Sequence, residues 1–337
     1  MQVKTYELAM TDYPALKRHN SPWKKKKVVR KWREMLAVFV VLILIGVIVG
    51  GLLGTSKLSK AEASEWDGEQ SVAIAINSTP GAVVVYSKSP PKIGVFTAEN
   101  DLYFATGDAS RPFSAVDGIF ELPGERASGV LTNLTGVSVS KFVYFKTRPD
   151  FSGDGVYDLF VDFASMKSPL LILLSRTDLL ASTNMTRVQL LTLWWRVKGI
   201  SVKQVQVKSL GGFADEVIGP SGMRFKSIDR ESVWREMLNY FDSGGAKKGD
   251  VEIVNDSGAT GAGNLASSIV SAYGFSVTGI STSDSIGDSC RLSVFGKTPN
   301  VLRLAKSLGC DIVLRQDSPK SEKVILFLGR EFSQKYF

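Results

Sequence analysis

Residues 251–277 read VEIVNDSGATGAGNLASSIVSAYGFSV. Val251 to Val254 is a short apolar strand. Asn255, Gly258 and Gly261 then crowd a turn: glycine accepts positive φ and asparagine bonds the backbone of its own turn. Gly263 to Tyr273 has helical spacing, and Phe275 to Ser281 is a second strand. Downstream, Leu292 to Phe295 is a strand. Pro299 to Leu308 is a helix with proline in its first turn and Gly309 at its end. Ile312 to Leu314 and Val324 to Leu328 close the series as strands. The order β-α-β-β-α-β-β over 250–331 predicts a small split-βαβ, ferredoxin-like domain.

A glycine-rich turn between a strand and a helix is also where phosphates bind. Here the spacing G-x-x-G-x-G is not the dinucleotide fingerprint, and no Gly-Lys-Ser/Thr follows. The turn is read as structural.

Working outward, residues 242–249 (DSGGAKKG) form a linker. Residues 70–241 read as a larger αβ domain. Val72 to Ile76 and Ala82 to Tyr86 flank Asn77-Ser78-Thr79-Pro80-Gly81 and predict a hairpin. Ile93 to Thr97, Leu102 to Phe104 and Ser140 to Lys146 are further strands. Arg126 to Leu134 is weakly helical. The apolar runs Tyr157 to Met166 and Leu170 to Leu174 remain ambiguous between helix and strand. Thr183-Asn184 offers a helix N-cap, after which Val188, Leu191, Trp194 and Trp195 share one helical face, expected to pack in the core rather than to hold a sugar or lipid chain. Val202 to Val207 alternates as a strand, and Asp229 opens a helix to Phe241. The fold class is α/β (α+β).

The N-terminal end is of another kind. Residues 35–54 read MLAVFVVLILIGVIVGGLLG and carry no charge. Twenty such residues match a hydrocarbon core of about 30 Å at about 1.5 Å per residue, and predict one transmembrane helix. Residues 1–34 form a tail of net charge +7, while all that follows sums to +1. The basic balance thus belongs to the tail and does not signal nucleic acid. By the positive-inside rule the tail is cytoplasmic and everything beyond the span is extracytoplasmic. Ala61-Glu62-Ala63 resembles a cleavage site, but the long tail and long apolar run favour an uncleaved anchor. Residues 55–69 form a polar stalk. Gly46, Gly50, Gly51 and Gly54 would let the span self-associate. The bilayer is the first expected partner.

The chemistry beyond the span is marked by what it lacks. His19, in the tail, is the single histidine. The exported part therefore has no Ser-His-Asp triad, no Cys-His pair and no zinc set. Cys290 and Cys310 both lie outside, where they either pair or serve as two small buried residues. Metal ligands: none.

The quoted stretch resembles the LytR C-terminal domain, whose opening runs roughly V-x-V-x-N-G-[ST]-G-x-x-G-x-A, then a helix, then G-[FY]-x-V. Asn255, Gly258, Gly261, Gly274 and Phe275 match, and Asp256 stands where glycine is usual. Tail, span, αβ domain and C-terminal domain together resemble the LytR-CpsA-Psr envelope proteins, and Leu131 to Tyr144 is similar to that family's L-G-I-x-I-D-x-Y stretch. The resemblance implies an extracytoplasmic place in a bacterial cell membrane and dealings with peptidoglycan or another envelope polymer. In active members it implies glycopolymer transfer from a polyprenyl-pyrophosphate carrier, using arginines, acids and Mg2+.

The chain departs from the family where that chemistry is carried. The Pro-Arg-Asp motif falls near Ala98-Glu99-Asn100-Asp101, without arginine, and no Arg-x-Arg followed by Asp-x-x-Arg is found. Asp101 is the stand-in for the motif's acid. Arg111, Arg126, Arg148 and Arg176 are binding candidates by residue type. The sequence reading is a catalytically degenerate binding or scaffold module in cell-wall assembly; the alternative is an active transferase, with Mg2+ only in that case. A regulator contacting DNA through the tail ranks last, since the tail has no folded reader.

Overall fold

The computed structural model describes residues 66–337 apart from 67, 69, 100, 106–112, 166–167, 174–179, 219–221, 223, 242–247 and 316–322. The expected tail, span and most of the stalk and linker lie outside these residues. Among the described residues no helix is long and apolar enough to cross a membrane. Residues 64–337 form one compact unit.

Its elements in chain order are β1 (Val72–Ile76), β2 (Gly81–Lys88), β3 (Pro91–Ala98), β4 (Leu102–Ala105), β5 (Phe113–Ala115), α1 (Gly124–Thr135), β6 (Lys141–Phe145), α2 (Gly155–Ala164), α3 (Ser168–Leu173), β7 (Leu180–Thr183), α4 (Arg187–Val197), β8 (Val205–Ser209), β9 (Ala214–Ile218), β10 (Arg224–Ile228) and α5 (Arg230–Leu238). Then come β11 (Asp250–Asn255), α6 (Ala262–Ala272), β12 (Ser276–Thr282), β13 (Arg291–Val294), α7 (Pro299–Leu308), β14 (Asp311–Leu314), β15 (Val324–Leu328) and α8 (Arg330–Tyr336).

The first half is built on a six-stranded mixed sheet in the order β7-β6-β1-β2-β3-β8. The expected hairpin is present, with Val72 opposite Tyr86 and Ile76 opposite Ala82. Both faces are covered, so its central strands read as nearly unbroken apolar runs. Ala73, Val83, Val85 and Phe96 pack toward Leu131 and Leu134 of α1 and Met237 of α5. Ile74, Val95 and Val143 pack on the opposite side toward Val156 of α2 and Leu190 and Val197 of α4. A smaller sheet, β5-β4-β10-β9, adjoins the first core.

The ambiguous runs resolve as helices α2 and α3. The expected cap at Thr183-Asn184 is corrected: Thr186 caps α4, accepting from the Gln189 amide while Gln189 returns a bond to the Thr186 amide. Asn184 instead extends the sheet edge, accepting from the Phe142 amide at 3.0 Å and donating to the Ser140 carbonyl at 2.9 Å. The phase of α4 is corrected too. Its buried face carries Leu190, Trp194 and Val197, while Val188 and Trp195 are exposed.

The second half has five strands in the order β12-β11-β15-β13-β14. This is not the split-βαβ arrangement. β11 pairs directly with β12, and β13 with β14, both parallel, so neither βαβ unit is split. The last strand, β15, enters between the two units, parallel to β11 and antiparallel to β13. Its alternating burial, Val324, Leu326 and Leu328 inward, suits a central strand with one covered face. Helices α6, α7 and α8 supply that cover. Helix α8 runs past residue 331, to Tyr336.

Candidate functional site

The six-stranded sheet and helices α2 to α4 do not close fully on each other. Between them lies a cavity of about 490 Å³. Its floor is the sheet face bearing Ile74, Ile76, Val84, Val95, Val143 and Val205. Its wall is a helical stripe at Val156, Leu159, Phe160 and Phe163, which the 3.6-residue period of α2 places on one face. Leu190, Leu193 and Val197 of α4 complete it. Asp162 is the one ionisable carboxylate among the lining residues; Ser165 and Ser168 add hydroxyls. Trp194 Nε1 donates to the Ser165 carbonyl at 2.9 Å and ties α4 to the end of α2.

One end of the cavity is bounded by a rigid loop after β6. Phe145 and Phe151 line the cavity on either side of it. The Asn77 side chain donates to the Phe145 carbonyl at 2.9 Å and accepts from its amide at 2.6 Å. Thr79 and the loop exchange two backbone bonds of 2.9 Å, Thr79 N to the Pro149 carbonyl and Phe151 N to the Thr79 carbonyl. Ser152 donates to Asp150 from both hydroxyl and amide, holding its carboxyl below the ordinary carboxylate range.

Arg148 lies in this loop, half-exposed, and pairs with Glu121 at 3.5 Å. Arg126 is exposed on α1 and does not line the cavity. Arg111 and Arg176 lie outside the described residues. Asp101 is exposed and bound to Lys226 at 3.1 Å beside the smaller sheet. Of the four candidate arginines the described residues include Arg126 and Arg148, and neither lines the cavity. No group of three or more His, Cys, Asp or Glu side chains able to hold a metal occurs among the described residues.

The turn motif has the geometry its residues imply. Asn255 accepts from the Ser257 amide and hydroxyl at 3.1 and 2.6 Å and donates to the Ala259 carbonyl at 3.0 Å. Gly258 and Gly261 take φ of 74° and 84°. Cys290 and Cys310 are bonded to each other. A second cavity, of about 480 Å³, has a mixed polar and apolar lining that includes Ser128, Thr132, Lys141 and Tyr273.

No protein-family model matches the chain, and no curated protein does. Over about half its length the chain is similar to several solved structures. TagV of B. subtilis is 12% identical, with 51% of this chain and 96% of that chain covered and a TM-score of 0.39. The Lin1025 protein of Listeria innocua is 14% identical, with 52% and 99% covered and a TM-score of 0.37. The LytR-CPS2A-psr family protein YwtF (TagT) with bound octaprenyl pyrophosphate lipid is 12% identical, with 52% and 93% covered and a TM-score of 0.33. A likeness of this size says nothing of this chain's ligand, which has to be read from its own residues.

The cavity itself was not foreseen. Strands apolar on both faces do not announce which face is incompletely filled. Read as a helix, Val156, Leu159, Phe160 and Phe163 form an apolar stripe, which gives the wall of the cavity but not its unfilled volume.

Proposed function

We propose that this chain is a membrane-anchored, extracytoplasmic cell-envelope protein whose αβ domain, residues 70–241, holds a long apolar chain such as an isoprenoid without transferring what that chain carries. Residues 35–54 are the anchor, and 250–331 a LytR-like C-terminal domain. The observation that carries the reading is the cavity between sheet and helices: large enough for a ligand, walled by branched and aromatic side chains, with a single carboxylate. A carbon chain suits such a wall, whereas an ionised group would lose its hydration there without a partner.

The rim of the cavity weighs against transfer. A pyrophosphate needs convergent cations, in practice several Arg or Lys aimed at one point. Among the described residues Arg148 is the candidate arginine whose chain neighbours Phe145 and Phe151 line the cavity, and its partner is Glu121. The transferase alternative rests on this residue: were Arg148 to exchange Glu121 for a phosphate, one arm of a clamp would exist.

Calorimetric titration of the full chain in detergent with a short polyprenyl pyrophosphate, and with the matching alcohol, tests both readings. Equal, Mg2+-independent binding of alcohol and pyrophosphate is the expected result. Binding of the pyrophosphate at least about tenfold tighter, only with Mg2+, would establish the transferase. Binding of neither would remove the cavity from consideration as a lipid site.

A further inference from the structure

The outer face of α4 is unlike the rest of the surface. Val188 and Trp195, two turns apart on that helix, are 64% and 61% exposed, and Val202, in the short helical turn beyond it, is 44% exposed. Arg187, Lys198 and Lys203 are exposed along the same stretch. The Lys198 ammonium lies 3.3 Å from the centroid of the exposed Trp195 ring. From residue 179 to residue 214 the sequence has no Asp or Glu and five Lys or Arg. Of those five, Lys208 is bound to Glu236, and the exposed ones are Arg187, Lys198 and Lys203.

We infer that this face of α4 is a docking surface for an anionic phospholipid bilayer. An exposed tryptophan and valines beneath a fringe of cations is the composition of an interfacial helix: the apolar groups enter the headgroup boundary, and Lys and Arg stay with the phosphates. The absence of acids over 36 positions (179–214) matches a negative surface and is poorly suited to a mixed-charge protein partner. The inner face of the same helix walls the apolar cavity through Leu190, Leu193 and Val197. Docking would lay the cavity's wall on the bilayer and shorten the path by which a lipid chain enters. The inference rests on the proposed membrane anchor, which keeps such a face within reach of lipid.

The test uses the full chain in nanodiscs with a polarity-sensitive fluorophore on a Val188→Cys variant. Cys290 and Cys310, being bonded to each other, do not take the label. A Lys297→Cys variant, labelled at another exposed site, is the reference. In discs containing phosphatidylglycerol, the label at 188 is expected to shift to the blue and to be quenched roughly twofold by brominated acyl chains. Adding Trp195→Ser and Lys198→Glu, or raising salt to about 1 M, where screening falls to ~3 Å, should reverse this. Emission at 188 as wet as at 297 would overturn the docking surface and leave the anchor standing. A blue shift insensitive to brominated lipid and dependent on chains per disc would assign the face to a second copy and overturn the inference. Failure of the chain to co-elute with discs would overturn the anchor, and this inference with it.

Discussion

The Asn133 amide joins the first helix to the last: its nitrogen donates to the Tyr336 carbonyl at 2.8 Å, across 203 positions of sequence. Its oxygen accepts from Arg230 Nη1 at 2.7 Å. Asn133 is buried, and so is Tyr336. One side chain therefore bonds α1, α5 and α8.

Asn133→Ala should destabilise by about 2–3 kcal/mol, because it leaves a carbonyl and part of a guanidinium buried without their partner. Urea unfolding should show a lower midpoint with an unchanged slope. An Asn133→Asp variant, keeping the bond to Arg230 and losing the donor to Tyr336, should fall between the two. Equal stability of Asn133→Ala and the parent chain would mean that α8 is held by Phe332 and Tyr336 packing alone.

The disulfide closes a loop of 20 residues that contains α7. The chain-entropy model assigns such a loop about 3 kcal/mol. Reduction, or Cys290→Ala with Cys310→Ala, should lower the melting temperature of the second half, and the loss should appear in hydrogen exchange of β13, α7 and β14 first. Both cysteines are buried, so mild reductant should act slowly on the folded chain.

Burial raises the hydroxyls of four tyrosines, Tyr144, Tyr240, Tyr273 and Tyr336, and the first two make the clearest test. Burial pushes the Tyr144 hydroxyl up to about 12, against a smaller opposing pull from Arg148. Burial, then the Glu236 carboxylate, pushes Tyr240 up to about 12. In the unfolded chain both ionise near about 10. The fold favours their neutral forms, so their stabilisation is complete below pH ~10 and is lost as pH rises toward 12. The two should respond differently to removal of the hydroxyl. Tyr144 Oη is buried without a partner, so Tyr144→Phe should leave stability at pH 7 unchanged or raise it slightly while flattening the alkaline loss. Tyr240 Oη donates to Gln206 at 2.7 Å, so Tyr240→Phe should cost about 1 kcal/mol at pH 7. Unfolding at pH 7 and pH 11 checks all four values.

Much of this architecture was legible because local signals and tertiary demand agreed. Asn255, Gly258 and Gly261 specify a turn that only their residue types make easily, and the hairpin between Ile76 and Ala82 follows from its turn chemistry. Where the reading failed, the deciding information was non-local. Nothing within β15 says that it inserts between β11 and β13 rather than at an edge; that is fixed by which neighbours offer unpaired backbone. In α4 periodicity pointed to one face, Val188, Leu191, Trp194 and Trp195, yet Leu190, Trp194 and Val197 keep a helical period as good. The sheet chose between them. The site was less legible than the fold, since its defining feature is unfilled volume, and neither Arg126 nor Arg148, named by residue type, lines it.

Val83 and Val84 turn this distinction into a test. They are adjacent on β2 and point to opposite faces. Val83 is fully buried in the core under α1, whereas Val84 lines the cavity. Val83→Trp inserts a large ring into close packing and should unfold the domain or cost more than about 3 kcal/mol. Val84→Trp extends into empty space, so it should fold with a melting temperature equal to or above that of the parent chain. It should nevertheless lose at least about tenfold in affinity for the polyprenyl alcohol, equivalent to about 1.4 kcal/mol. A folded Val84→Trp chain that binds the alcohol as well as the parent would place the lipid elsewhere.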